Sequence, residues 1–66
     1  MVTTEEFERM LIKKVGPIGK VFLKKAMESL EITEINNDNV ELVIETLKLN
    51  PIMKKYVVEI EEELGL

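Results

Sequence analysis

The chain has 66 residues, a formal net charge of −4, and no cysteine or histidine. A chain of this length forms one small domain, here over residues 1–66, and without disulfides it must rely on tight helix packing or oligomerisation. The usual thiolate and imidazole groups of catalytic and metal sites are absent. We therefore expect no enzyme, cofactor, metal site or small-molecule substrate. No apolar run reaches the roughly 18 residues of a membrane span, and there is no signal-peptide core, so we expect a cytoplasmic protein.

The first helix is predicted to follow a threonine cap. Thr3 or Thr4 can cap it, and Glu6 stands at capping-box spacing from Thr3. Gly16 ends the helix and Pro17 suits the first turn of the next one, so the two helices meet at a sharp bend. The apolar stripe of the first helix comprises Phe7, Met10, Leu11 and Val15.

The second helix is predicted from Pro17 to about Leu30, with an apolar stripe that covers about half of its circumference. The stripe comprises Ile18, Gly19, Phe22, Leu23, Ala26, Met27 and Leu30. Gly19 lies in the middle of it, where glycine costs about 1 kcal/mol relative to alanine. This position therefore indicates a close backbone approach by a neighbouring helix.

Residues 31–38 form a polar segment that is typical of a loop. Asp38 and Glu41 have the spacing of a second capping box. A third helix then follows, with a regular apolar stripe of Val40, Val43, Ile44 and Leu47.

The fourth helix is predicted to have Asn50 as its cap, Pro51 in its first turn and Gly65 at its end. Its apolar face comprises Ile52, Met53, Tyr56, Val57, Ile60 and Leu64. We therefore predict an all-α fold of four short helices, packed as two helix hairpins. The alternative is an α+β fold with a C-terminal hairpin from residues 40–60, because β-branched residues are frequent there.

The charges are unevenly distributed along the chain. Residues 1–30 hold six basic and four acidic side chains, whereas residues 31–66 hold three and nine. Complementarity between the two helix pairs is the favoured interpretation. The alternative is a nucleic-acid-binding surface on the first two helices, although nucleic acid is the less favoured partner of so acidic a chain. The candidate basic surface comprises Arg9, Lys13, Lys14, Lys20, Lys24 and Lys25.

An acidic run near the C-terminus comprises Glu59, Glu61, Glu62 and Glu63. Consecutive helical residues point in different directions, so these carboxylates do not converge on one ion. Acidic groups at a helix C-terminus also oppose the helix dipole. We therefore predict either a frayed helix end or pairing with lysines elsewhere.

Several apolar residues fall outside the four stripes. Leu42 and Leu49 lie together on the back of the third helix, roughly opposite Val40 and Leu47. Apolar residues on a shared face indicate a second buried surface. The candidate interface residues are Val21, Leu42, Leu49 and Val58.

The joint between the first two helices carries a motif. The segment from Leu11 to Ala26 reads LIKKVGPIGKVFLKKA. It resembles a short helical appendage, roughly IGPIA-x-VLVKRA, of prokaryotic serine/threonine kinases and related signalling proteins. Val15 and Gly19 replace the Ile and Ala of that pattern. The resemblance implies interaction or regulation and no catalytic residue.

Together these features predict a non-enzymatic protein–protein interaction or regulatory module. We expect it to self-associate or to bind another protein.

Overall fold

The computed structural model describes residues 2–66 and contains four α-helices within that range. The helices are α1 (Thr4–Val15), α2 (Ile18–Leu30), α3 (Val40–Lys48) and α4 (Pro51–Glu63). The described residues contain no β-strand. The prediction of an all-α fold is therefore confirmed, and the alternative hairpin at residues 40–60 is wrong. The apolar stripe of α3, together with the Asn50 cap and Pro51 of α4, outweighs the strand preference of the β-branched residues.

Helix α1 begins at the predicted threonine cap. The Thr3 hydroxyl accepts a hydrogen bond from the backbone N–H of Glu6 at 3.1 Å. Phe7 and Leu11 are fully buried one turn apart. Gly16 ends the helix with a φ of 86°, and its N–H donates to the carbonyl of Ile12 at 2.7 Å. A positive φ is readily adopted only by glycine, which explains the bend at this position.

Helix α2 packs closely against α1 at Gly19. A Cβ atom at Gly19 would lie 2.7 Å from Val15 Cγ2 and 3.2 Å from the Leu11 carbonyl oxygen. The predicted close approach at this glycine is confirmed. Leu23 and Ala26 are also buried. Ile18 is 53% exposed, so the prediction that it lies in the packed stripe is wrong.

The segment between α2 and α3 docks onto the start of α1. The Thr4 hydroxyl accepts from the Ile35 N–H at 2.7 Å, and the Asn37 side chain accepts from the Val2 N–H at 2.8 Å. Ile35 is only 3% exposed and contributes to the core. This segment is therefore an anchored connection.

The turn that precedes α3 is closed by two asparagines, and Asn39, the residue before the helix, makes no side-chain bond to the first turn of α3. Asn36 Oδ1 accepts from the Asn39 N–H at 3.0 Å, and Asn39 Oδ1 accepts from the Asn36 N–H at 2.9 Å. These two reciprocal bonds have the pattern of a capping box. The predicted box of Asp38 and Glu41 is wrong, because Asp38 lies inside the turn that the two asparagines close.

The last two helices follow the predicted pattern closely. The α3 stripe of Val40, Val43, Ile44 and Leu47 is buried. Asn50 caps α4 by accepting from the Ile52 N–H at 2.9 Å, and Pro51 occupies its first turn. Met53, Val57 and Ile60 are buried, but Ile52 is 72% exposed and does not belong to the core face.

The four helices surround one apolar core. The most extensive contacts lie within the hairpins α1–α2 and α3–α4, while α2 also packs on α3 and α1 on α4. The described chain measures 24 × 23 × 19 Å. Each helix therefore keeps an outward face, and the faces of α2 and α3 lie side by side. The core comprises Phe7, Leu11, Leu23, Ala26, Ile35, Val40, Val43, Ile44, Leu47, Met53, Val57 and Ile60.

Candidate interaction surface

Large apolar side chains are exposed at several places on this small protein. They are Ile18 (53%), Val21 (47%), Leu42 (58%), Leu49 (82%), Ile52 (72%) and Leu66 (48%). A single exposed apolar residue needs no explanation. Several neighbouring ones mark a surface that another molecule can cover.

The predicted interface residues differ in exposure. Val21, Leu42 and Leu49 are exposed, as expected for residues outside the core stripes. Val58 is half-buried on α4. The structure thus leaves three of the four side chains freely accessible. Ile52 joins the exposed set although the sequence pattern assigned it to the core.

The outward face of α3 carries the two exposed leucines. Leu42 and Leu49 are two helical turns apart on the same side of the helix. Thr46 lies between them along the axis and is rotated slightly to one side. The Thr46 hydroxyl donates to the Leu42 carbonyl at 2.9 Å, so its polar atom is satisfied within the helix. Glu41 and Glu45 are exposed and border this face.

A groove of about 510 Å³ runs between α2 and α3. Phe22, Lys25 and Leu47 line it, together with Leu49, the C-terminal cap residue of α3. The structure therefore places Leu49 beside exposed groups of α2. Val21 lies on the outward side of α2 and does not line the groove.

The residues of the candidate basic surface do not form one continuous surface in the fold. Lys14 is paired with acidic residues of α4. Its ammonium group contacts the carboxylates of Glu63 and, at 3.4 Å, Glu59. The hydrogen bond with Glu63 raises the pKa of Lys14 above its ordinary value, although partial burial acts in the opposite direction. Lys14 therefore joins α1 to α4 and is withdrawn from any basic surface.

The other basic residues lie on several faces of the first hairpin. Lys20 is 3.7 Å from Glu8, and Arg9 lines a shallow depression together with Glu5 and Glu8. Lys13, Lys24 and Lys25 are exposed. Carboxylates thus interrupt the positive charge of α1, whereas α2 keeps a group of exposed lysines.

The acidic run of α4 is paired with lysines, which was one of the two predicted outcomes. In addition to the contacts of Lys14, Glu61 lies 2.8 Å from Lys48 of α3, and Lys48 is 3.6 Å from Glu45. The hydrogen bond with Glu61 raises the pKa of Lys48. Three carboxylates of the run, those of Glu59, Glu61 and Glu63, are therefore distributed between two lysines on different helices.

The described residues show no arrangement suited to metal chemistry. No group of three acidic side chains within residues 2–66 could hold a metal ion. In the same range, every buried side-chain nitrogen or oxygen atom has a hydrogen-bond partner. No helix among these residues is long and apolar enough to cross a membrane.

Comparison with known proteins identifies a similar protein in an archaeon. The chain is 39% identical over 64 residues to an uncharacterised protein of Archaeoglobus fulgidus, covering 97% of this chain and 94% of that protein. It also superposes on the crystal structure of Archaeoglobus fulgidus Af1502 with a TM-score of 0.91, at 38% identity, over 97% of this chain and 94% of the other. No model of a known protein family matches the chain.

Proposed function

This chain belongs to the family of the uncharacterised Archaeoglobus fulgidus protein, and we propose that it is a non-enzymatic protein–protein interaction module that self-associates. The observation that supports the proposal is the exposed apolar face of α3. Leu42 is 58% exposed and Leu49 is 82% exposed, on the same side of one helix. Burying a leucine side chain contributes about 1.5–3 kcal/mol, so covering both residues gives a substantial driving force for association.

The size of the protein favours the same function. A domain of this length leaves much of its apolar surface uncovered, and oligomerisation is a common way to bury it. Within residues 2–66 the core contains twelve buried apolar residues, and Leu42 and Leu49 lie outside it. A binding surface explains their presence on the outside.

Sedimentation over a concentration range tests the proposal. We expect the wild-type chain to form an oligomer at high micromolar concentration and to dissociate on dilution. Leu42→Glu and Leu49→Glu should shift the equilibrium toward monomer, because each places a charge in the proposed contact. Leu66→Glu is the matched control, since Leu66 is exposed but lies beyond α4. A wild-type chain that stays monomeric, with no response to either α3 substitution, would contradict the proposal.

We further propose that the protein acts in the cytoplasm and without catalysis. The absence of cysteine and histidine from the sequence supports the lack of catalysis. The resemblance of residues 11–26 to an appendage of signalling proteins supports a regulatory role. In this fold the segment forms the joint between α1 and α2, with Gly19 packed on α1.

Nucleic-acid binding is the alternative function, and the exposed lysines of α2 are its best support. Among residues 2–66, Lys24 and Lys25 make no carboxylate contact of the kind that Lys14 and Lys20 make. Binding through phosphate contacts predicts salt-dependent retention on mixed DNA or RNA, which Lys24→Glu would reduce. Absence of retention at low salt would contradict this alternative.

A further inference from the structure

The outward face of α2 combines apolar and positively charged side chains. Ile18 and Val21 are exposed, and Lys24 and Lys25 lie on either side of Val21. Lys20 is exposed on the side nearer α1, and Glu28 is the one acidic residue of the face. This face therefore presents an apolar strip with a positive border.

The outward face of α3 has the opposite charge. Leu42 and Leu49 form its apolar strip, and Glu41 and Glu45 form its border. The lysine of α3, Lys48, lies 2.8 Å from Glu61 of α4 and 3.6 Å from Glu45, whereas Glu41 has no such contact among the described residues. The two faces lie on opposite sides of the groove between α2 and α3, so they are complementary in charge and similar in apolar character.

We propose that the occupant of this surface is a second copy of the chain, related by a two-fold axis that lies in the interface and runs along the groove. In this arrangement α2 of each copy packs on α3 of the other, and the inference rests on the self-association proposed above. A two-fold axis makes every contact occur twice, so both apolar strips and both charged borders are satisfied together. Packing α2 on α2, or α3 on α3, would instead bring like charges together, which is costly.

The available surface is large enough for such an interface. A standard interface buries about 800 Å² on each partner. The described chain has an accessible surface of 4451 Å², and the α2–α3 side is one of the four sides of the helix bundle. One side of the bundle therefore supplies the required area without any change in the fold.

Reversal of the two charged borders provides the test. One variant carries Lys24→Glu and Lys25→Glu, and the other carries Glu41→Lys and Glu45→Lys. All four residues are exposed, so we expect both variants to fold, and circular dichroism is used to check this. Each variant alone should self-associate at least about tenfold more weakly than the wild type, because like charges then face each other. An equimolar mixture should form a heterodimer, detected by native mass spectrometry, because opposite charges face each other again at both contacts.

The control variant carries Lys54→Glu and Lys55→Glu, which makes the same charge change at two adjacent exposed lysines of α4. It should self-associate as the wild type does and should not form a heterodimer with the Glu41→Lys/Glu45→Lys variant. If the wild type self-associates but the mixture of reversed variants does not, this arrangement is wrong and the proposed function stands. A wild-type chain that remains monomeric would overturn both.

Discussion

Lys14 of α1 and Glu63 of α4 form an ion pair that joins the two helix hairpins. The Lys14 side chain is only 18% exposed, and its Nζ atom also lies 3.4 Å from Oε1 of Glu59. The pair reflects the uneven charge distribution along the sequence, because α1 lies in the more basic part of the chain and α4 in the more acidic part. The acidic run at the end of α4 thereby helps to hold the hairpins together.

Substitution of Lys14 should therefore destabilise the protein in a graded way. Lys14→Met removes the ion pair and should lower the urea midpoint slightly. Lys14→Glu places a third carboxylate beside Glu59 and Glu63 and should lower it more. Lys13→Glu is the matched control, because it makes the same charge change at an exposed neighbour. Equal effects of Lys13→Glu and Lys14→Glu would mean that only net charge matters.

Stability should also fall at alkaline pH. The pKa of Lys14 in the folded protein is raised above its ordinary value of 10.5, mainly by the hydrogen bond with Glu63. Because the folded state holds this proton more tightly than the unfolded state, the contribution is fully present below about pH 10.5 and is lost as pH rises through the raised pKa. Lys48 behaves in the same way because its pKa is raised by Glu61.

Urea denaturation between pH 8 and pH 12 measures this dependence. We expect the alkaline loss to shrink in Lys14→Met and to shrink further in the Lys14→Met/Lys48→Met double variant. An unchanged alkaline loss in the double variant would show that other groups cause it.

Gly19→Ala tests the close packing of α1 on α2. Alanine is favoured over glycine in a helix by about 1 kcal/mol. However, the new Cβ would lie 2.7 Å from Val15 Cγ2, and overpacking of this kind typically costs about 1–3 kcal/mol. We expect a net loss of stability of up to about 2 kcal/mol, measured by urea denaturation.

A second substitution separates crowding from other causes. In a Val15→Ala background the Cγ2 methyl group that crowds position 19 is absent. Gly19→Ala should then lower the free energy of unfolding by less, or even raise it. Gly16→Ala provides the contrast, because Gly16 has open space around it but a φ of 86°. Its loss of about 1–3 kcal/mol should come from backbone strain and should persist in the Val15→Ala background.

The fold was predictable because its main signals are local. The threonine and asparagine caps, the Gly16–Pro17 joint and the regular stripe of α3 each act within a few residues. Ile18 and Ile52 were misplaced because each precedes a buried residue, Gly19 or Met53, by one position. Successive residues of a helix are rotated by about 100° around its axis, so the residue next to a buried one lies outside a narrow buried face.

The surface was only partly predictable for a different reason. Leu42 and Leu49 stand out because they oppose a clear stripe on the same helix. The pairing of Lys14 with Glu59 depends on how the two hairpins pack, and 45 positions separate the two residues along the sequence. The neighbouring positions of the α2 and α3 faces likewise depend on tertiary structure.

Ile35 should be far more important for stability than its place in a polar segment suggests. It is 3% exposed, whereas Ile52 is 72% exposed. Ile35→Ala should destabilise the protein by about 2–5 kcal/mol, because it removes buried methyl groups and leaves a cavity. Ile52→Ala, measured in dilute solution, should change the free energy of unfolding by no more than about 0.5 kcal/mol. Similar effects of the two substitutions would contradict the anchored connection between α2 and α3.

Asn36 and Asn39 should matter more for stability than Asp38, although Asp38 and Glu41 form the capping box that the sequence predicts. The two asparagines exchange side-chain bonds of 2.9 and 3.0 Å with each other's backbone, and Asn39 Nδ2 also donates to the Glu34 carbonyl at 2.9 Å. Asn36→Ala and Asn39→Ala should each lower the free energy of unfolding by about 1–2 kcal/mol. Asp38→Ala should have almost no effect in the same urea titration. Because the two asparagines act as one unit, the double variant should lose less than the sum of the single losses, and full additivity would show that the reciprocal pair is not formed.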